Sequence, residues 1–120
     1  MKHRINRFIG TLCSLLAFAF TAEAQQISFV KNCSWEELKA RAQKEDRPIF
    51  VDVYTSWCAP CKKMAATVFK DPEVAAYMDK NYISIQLDAE KEKSHGFFAN
   101  FLPGAYPSFY WLDKNGRLLS

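Results

Sequence analysis

Two cysteines separated by Ala-Pro, Cys58 and Cys61, stand at the junction between a predicted strand and a predicted helix. Residues 49–54 are apolar on both alternating faces except at Asp52, which is typical of a buried parallel strand, and a helical pattern begins at Lys62. Cysteines with this spacing at a helix start lie on one face, and the helix dipole stabilises a thiolate at the first. The junction predicts a redox pair with Cys58 as an exposed nucleophile and Cys61 as the buried resolving thiol.

The pair could alternatively form half of a zinc site, which needs two further Cys or His ligands at suitable spacing. The remaining candidates are scattered singly: His3, Cys13, Cys33 and His95. Pro60 instead suits a dithiol, because its missing N–H group costs nothing in the first helical turn and its ring stiffens the segment between the cysteines. We expect no metal, and no cofactor either, since the dithiol supplies the chemistry.

The first 24 residues have the pattern of a secretory signal peptide. The basic residues at the start are Lys2, Arg4 and Arg7. Residues 8–20 are uncharged, mostly apolar and too few to span a bilayer, and Ala22-Glu23-Ala24 fits a small-x-small cleavage site. An uncleaved membrane anchor is the alternative. Cleavage would leave residues 25–120, enough for one domain, as an exported protein.

Charge argues against a nucleic-acid partner. The chain has a net charge of +3, which falls to +1 when the three basic residues and one acidic residue of segment 1–24 are removed. Residues 90–93 alternate Glu with Lys, a mixture typical of a solvated surface. We therefore expect no binding to nucleic acid.

Other segments predict the order of the remaining elements. Ser34 and Glu37 form a capping box, and the apolar positions that follow predict a helix ending at 46–48. The helix after the cysteines is expected to kink at Asp71-Pro72 and to continue to Met78. The later elements are a strand over 83–87, a short helix over 94–102, a strand over 107–112, a turn at 113–116 and a returning strand at 117–119.

This order and three motifs resemble the thioredoxin fold. The motifs are Trp57-Cys58-Ala59-Pro60-Cys61-Lys62, Asp52 six positions before the first cysteine, and Tyr106-Pro107-Ser108 before an apolar strand. Residues 52–58 and 69–74 further resemble the C-terminal periplasmic domain of the bacterial transmembrane thiol-disulfide interchange protein and its small secreted relatives. The resemblance covers about residues 30–120. It implies an α/β fold with a central mixed sheet flanked by helices.

The resemblance also implies roles for single residues. Pro107 would be a cis-proline facing the dithiol, and the backbone of Tyr106 would hydrogen-bond an extended substrate peptide. Asp52 would be a buried carboxylate with a raised pKa that exchanges a proton with the second cysteine. Trp57 would cover the dithiol and, with Pro60, face the substrate. The alternatives are an ordinary trans proline, a structural aspartate and a structural tryptophan.

Three positions depart from the family pattern. Gln86 stands where many thioredoxins have a lysine that pairs with the buried aspartate, and Ala105 stands in place of a glycine before the cis-proline. The chain also stops at Ser120, before the C-terminal helix of this fold, so we expect the domain to be truncated. The proton transfer and the proline loop are therefore expected to differ from those of the family.

Residues outside these motifs are expected to be structural. Cys33 is predicted to be half-buried at the start of the first helix, and His95 to face solvent. The helical spacing of Phe97, Phe98, Phe101 and Leu102 predicts a contribution to the core.

Together these features predict a periplasmic thiol-disulfide oxidoreductase that acts on disulfide-containing protein substrates. Cys58 would attack a substrate disulfide, and Cys61 would resolve the mixed disulfide. Reduction is the expected direction, because Ala59-Pro60 lacks the histidine that stabilises the thiolate in strongly oxidising relatives. A reductase outside the cytoplasm needs a membrane-embedded electron donor. The alternatives are a disulfide oxidase or isomerase, and a peptide-binding module whose dithiol is idle.

Overall fold

A mixed sheet forms the centre of residues 25–120, the part of the chain that this computed structural model describes. The signal peptide predicted for residues 1–24 lies outside it. The strands are β1 (Phe29–Val30), β2 (Ile49–Tyr54), β3 (Ile83–Asp88) and β4 (Ser108–Leu112). Their order is β1-β3-β2-β4, with β4 antiparallel to β2 and the other pairs parallel. This α/β architecture confirms the predicted fold class.

Three helices cover the sheet of the described region: α1 (Trp35–Glu45), α2 (Ala59–Ala66) and α3 (Pro72–Asn81). The Ser34 side chain accepts a hydrogen bond from the N–H of Glu37 at 3.1 Å, which confirms the predicted start of α1. Within residues 25–120, none of the helices combines the length and apolar content needed to cross a bilayer.

The segment after α2 is broken where a kink was predicted. A 3₁₀ turn at Val68–Lys70 separates α2 from α3. Oδ1 of Asp71 accepts hydrogen bonds from the N–H groups of Glu73 and Val74 at 2.9 and 3.2 Å. Because Pro72 has no N–H group to continue the earlier helix, the aspartate caps a new one.

Two other elements are shorter than predicted. The helix expected over 94–102 is a 3₁₀ turn at Gly96–Ala99, and the returning strand is reduced to one bridge between Leu112 and Leu118. Strand β1 was not predicted, because two residues are too few to show an alternating pattern. The strand forms through its pairing with β3, which is distant in sequence.

The alternation of β2 divides the interior into two clusters. Its odd-numbered residues pack against α1 in a cluster that includes Leu38 and Phe97, whereas Phe50 packs against α3 on the other face. The predicted core role is confirmed for Phe97, with Phe98 and Phe101 packed against that cluster. It is wrong for Leu102, which is 87% exposed because it follows the end of the 3₁₀ turn.

Candidate active site

The two cysteines form a disulfide at the start of α2, with their Cα atoms 5.3 Å apart. Cys58 is the N-cap residue of the helix, and its Sγ atom accepts a hydrogen bond from the N–H of Cys61 at 3.2 Å. Pro60 lies in the first turn, where the missing N–H group leaves no bond unmade. The strand-to-helix junction therefore brings the sulfurs together as their spacing predicts.

The expected difference in exposure between the cysteines is wrong for this disulfide form. Cys58 is 3% exposed and Cys61 is 7% exposed, so both are buried. The Sγ atom of Cys58 is bonded to Cys61 and faces its N–H group, inside the helix start. Pairing with the helix terminus thus places the first sulfur away from solvent.

Asp52 lies in the middle of β2, next to Gln86 of β3 and Phe109 of β4 in the sheet register. Nε2 of Gln86 donates a hydrogen bond to Oδ2 of Asp52 at 2.9 Å. Burial raises the pKa of Asp52 to about 6, and the hydrogen bond from Gln86 partly opposes that rise. The carboxyl group is thus buried as the resemblance implies. The neutral amide of Gln86 lies at the position where many thioredoxins have a lysine.

A cavity of about 290 Å³ has both Asp52 and the second cysteine, Cys61, in its lining. Its lining includes Asp52, Tyr54, Thr55, Cys61, Lys62 and Gln86. A larger groove of about 640 Å³ lies beside it, between residues 26–31 and α2. The smaller cavity is the one relevant to chemistry, because Asp52 and Cys61 line it and do not line the groove.

Trp57 and Tyr106 meet beside the dithiol. Their rings are edge to face, with centroids 6.0 Å apart, and Trp57 is 62% exposed. The indole N–H of Trp57 donates a hydrogen bond to the Glu90 carboxylate at 2.6 Å. The Tyr106–Pro107 peptide bond is cis, and Pro60 is exposed. Trp57 and Pro60 can thus be reached by another molecule, whereas Tyr106 is half-buried.

Sequence reasoning missed two residues of this region. Glu90 was assigned to a solvated surface, but it holds the Trp57 indole through a contact between loops distant in sequence. Thr55 was not singled out, although it is buried and lines the cavity that reaches Cys61. No periodicity or spacing distinguishes either residue, because their positions depend on how the loops pack.

The remaining candidate ligands lie away from the dithiol. Cys33 is half-buried against the α1 cluster, as predicted, and burial raises the pKa of its thiol. The prediction that His95 faces solvent is wrong, because its Nε2 atom bonds the carbonyl oxygen of Cys33 at 2.8 Å and holds the ring half-buried. Residues 25–120 contain no group of three or more His, Cys, Asp or Glu side chains placed to hold a metal ion.

A sheet of this topology with a disulfide at the start of α2 defines a thiol-disulfide oxidoreductase of the thioredoxin class. A family model described as thioredoxin-like matches residues 30–114, so the chain belongs to the thioredoxin-like family. This membership confirms the resemblance inferred from the motifs.

One curated relative is the thiol:disulfide interchange protein DsbD of Vibrio vulnificus (strain CMCP6). It is 33% identical over 87 residues, which cover 66% of this chain and 14% of that protein. This chain therefore spans only a small part of the relative's length.

Two solved structures have the same fold. A candidate disulphide-isomerase from Bacteroides thetaiotaomicron is 34% identical, with a TM-score of 0.69 over 82% of this chain and 80% of that one. The C-terminal domain of Neisseria meningitidis DsbD in the oxidised form is 23% identical, with a TM-score of 0.52 over 68% of this chain and 75% of that one. At that identity the second likeness shows the fold alone.

Proposed function

We propose that the chain is an exported thiol-disulfide reductase that reduces disulfides in other proteins. The observation that carries this proposal is the Cys58–Cys61 disulfide at the N-terminus of α2, next to a cavity shared with Asp52. Such a pair can store and deliver two electrons without a cofactor.

In the reduced protein, Cys58 is the attacking thiolate. The N–H of Cys61 and the positive end of the α2 dipole stabilise negative charge on its sulfur. Its Sγ atom bonds one sulfur of the substrate disulfide, and the other substrate sulfur leaves with the electron pair and takes a proton from solvent. The product is a mixed disulfide between Cys58 and the substrate.

Cys61 completes the reaction. Its thiol gives a proton to Asp52, its Sγ atom bonds Cys58, and the remaining substrate sulfur leaves as a thiolate that solvent protonates. The substrate disulfide is reduced to two thiols, and the Cys58–Cys61 pair is oxidised to the disulfide. A pKa of about 6 suits Asp52 to this task, because the carboxyl group is mostly ionised near neutral pH and still accepts a proton readily.

Reduction is favoured by what surrounds the Cys58 sulfur. Within residues 25–120, the hydrogen bond that this sulfur accepts comes from a backbone N–H, and Ala59 and Pro60 bring no charge. A thiolate with few stabilising partners makes the disulfide form comparatively favourable and the dithiol a good reductant.

The proposed substrate surface is formed by Trp57, Pro60, Tyr106 and Pro107. Trp57 and Tyr106 present aromatic surface beside the disulfide, which suits the apolar side chains of an extended peptide. The signal-peptide pattern supports a periplasmic location, and the electrons would come from a membrane-embedded donor. The likeness to DsbD, a thiol:disulfide interchange protein, supports the proposed exchange of disulfides.

A disulfide isomerase is the second candidate, because the 34% identical Bacteroides protein is described as a candidate disulphide-isomerase. The midpoint potential of the Cys58/Cys61 couple separates the two functions. It is measured by equilibrating the protein in glutathione buffers and alkylating the free thiols. Mass spectrometry then gives the fractions of reduced and oxidised protein. We expect a value near that of thioredoxin, about −270 mV, whereas a value more oxidising than about −180 mV would assign the chain to isomerases or oxidases.

Reduction of a protein disulfide by the dithiol form tests whether the chain is an enzyme at all. The variant lacking both cysteines is the matched control. If the wild type lacked the activity while both proteins still bound unfolded peptides, the chain would be a peptide-binding module. Activity in the variant would show that the dithiol is not the source of the reduction.

A further inference from the structure

Two buried side-chain oxygen atoms, on residues that line the cavity beside Cys61, have no hydrogen-bond partner within residues 25–120. They are Oγ1 of Thr55 and Oδ1 of Asp52. Thr55 is 1% exposed, and it is one of the residues that line the same cavity as Asp52 and Cys61. Its backbone carbonyl also accepts a hydrogen bond from the N–H of Cys58 at 3.4 Å, which fixes the residue between strand and dithiol.

Unpartnered buried oxygens are unusual, since most such groups pair with protein or with ordered water. The hydroxyl and the carboxylate oxygen do not bond each other, so a bridging group is needed to satisfy both. A water molecule takes about 30 Å³ of liquid volume and needs two to four polar partners. The cavity of about 290 Å³ has this room, and the three residues that carry these two oxygens and the Cys61 sulfur line it.

We propose that Thr55 is a positioning residue for the resolving step, because its hydroxyl holds a water molecule between Oδ1 of Asp52 and Sγ of Cys61. The inference rests on the proposed function and adds a residue to it. Gln86 anchors the other carboxylate oxygen, so Oδ1 is free to receive the proton.

The proton of the Cys61 thiol reaches Asp52 through the water molecule. As the Cys61 sulfur bonds Cys58, its proton passes to the water, and a proton of that water passes to Oδ1 of Asp52. The bond between Cys58 and the substrate sulfur breaks, and that sulfur leaves with the electron pair. Thr55 keeps its own proton throughout and only orients the water.

The Asp52 carboxylate has neighbours on each element that packs around it. Tyr54 on β2 and Lys62 on α2 are the further titratable side chains that line the cavity with Asp52 and Cys61. Gln86 on β3 and Phe109 on β4 face the same strand position and carry no charge. Lys62 and Tyr54 are unchanged in every variant below, so a difference in pH dependence can be attributed to the hydroxyl.

The test uses reduced protein and the small disulfide 5,5′-dithiobis(2-nitrobenzoate). Cys58 attacks it in a bimolecular step that releases one thionitrobenzoate, and Cys61 then displaces the second in a unimolecular step. Stopped-flow absorbance separates the steps, because only the first depends on reagent concentration. Thr55→Val removes the hydroxyl and keeps the side-chain shape, Thr55→Ala removes it without the second methyl group, and Thr55→Ser keeps it.

We expect both hydroxyl-free variants to slow the second step at pH 7 by about tenfold, a modest share of what acid-base catalysis contributes, and to leave the first step unchanged. The difference should shrink near pH 9, where hydroxide from solvent competes with Asp52 as the proton acceptor. Thr55→Ser should restore the wild-type rate. Ser84→Ala is the matched control, because Ser84 is also buried with an unpartnered hydroxyl but lines a different cavity.

A second measurement does not depend on activity. Carbon-13 NMR titration of the Asp52 carboxyl group should show a higher pKa in Thr55→Val than in the wild type and in Thr55→Ser, because the carboxylate loses a hydrogen-bonded water. It is made on the folded, oxidised protein.

The outcomes distinguish the two proposals. If Asp52→Asn slows the second step and the hydroxyl-free variants do not, or if Thr55→Ser is as slow as Thr55→Val, the role of Thr55 is overturned and that of Asp52 stands. If Asp52→Asn also has no effect, Asp52 is not the proton acceptor. If the wild type releases no second thionitrobenzoate, the proposed exchange mechanism itself fails.

Discussion

The two faces of β2 differ in what they bury. On the face toward α1, Ile49, Val51 and Val53 are fully buried in an apolar cluster. On the face toward α2, Asp52 is buried with one oxygen unpartnered, beside a cavity. An apolar interior stabilises the fold, whereas a buried carboxyl group with space around it costs stability. One strand thus separates the part that maintains the fold from the part available for proton transfer.

The largest expected effect is on chemistry alone. Cys58→Ser should abolish disulfide exchange, because it removes the sulfur that forms the mixed disulfide, and Cys61→Ser should trap that mixed disulfide. Mass spectrometry of each variant after incubation with a disulfide-containing protein checks both outcomes. Covalent adducts on Cys58→Ser would contradict the assignment of the nucleophile.

On the apolar face of β2, truncating a core side chain should lower the free energy of unfolding. Leu38→Ala should lower the free energy of unfolding by about 2–5 kcal/mol, because it removes a fully buried side chain and leaves a cavity in the α1 cluster. Urea unfolding of the oxidised protein measures it. In the Leu38→Ala molecules that remain folded, the exchange rate should depend on pH as it does in the wild type. A changed pH profile would mean that the two faces of β2 are coupled.

On the polar face of β2, replacing the buried Asp52 should raise the free energy of unfolding, whereas Leu38→Ala lowers it. The pKa of Asp52 is about 6 in the folded protein and 3.8 as a free side chain, so its stabilising contribution is complete at low pH and is lost as pH rises through about 6. The difference corresponds to about 3 kcal/mol. Asp52→Asn should therefore stabilise the oxidised protein at pH 7.5 by up to this amount.

This gain should decline between pH 6 and pH 4, where the folded carboxyl group becomes protonated. Denaturant unfolding at several pH values measures the change. Asp113→Asn is a suitable control, because Asp113 is half-buried outside the site, and hydrogen bonds from backbone N–H groups lower its pKa. If Asp52→Asn destabilised the protein equally at all pH values, the carboxyl group would have a structural role.

The smallest effect is expected at the rim of the site. Glu90→Ala removes the carboxylate that accepts the Trp57 indole hydrogen bond, and an exposed contact of this kind contributes about 1 kcal/mol or less. We expect little change in unfolding free energy and faster motion of the Trp57 side chain. NMR relaxation of the indole N–H measures that motion, with Glu73→Ala on α3 as the control.

The site was predictable where it depends on neighbours in sequence. Spacing placed Cys58 and Cys61 on one helix face, and the composition of β2 placed Asp52 in its interior. The exposure of Cys58 was mispredicted, because a helix start predicts where a sulfur lies along the chain and not how the folded loop encloses it.

The sequence by itself determined the fold class, the order of most elements and the identity of the redox pair, because these depend on periodicity, capping residues and a three-residue spacing. Only the tertiary structure decided the contact of Gln86 with Asp52, the burial of Thr55 and the bond between Glu90 and Trp57. Each depends on strands or loops distant in the chain. Local patterns cannot encode such contacts, since they arise only when the sheet assembles.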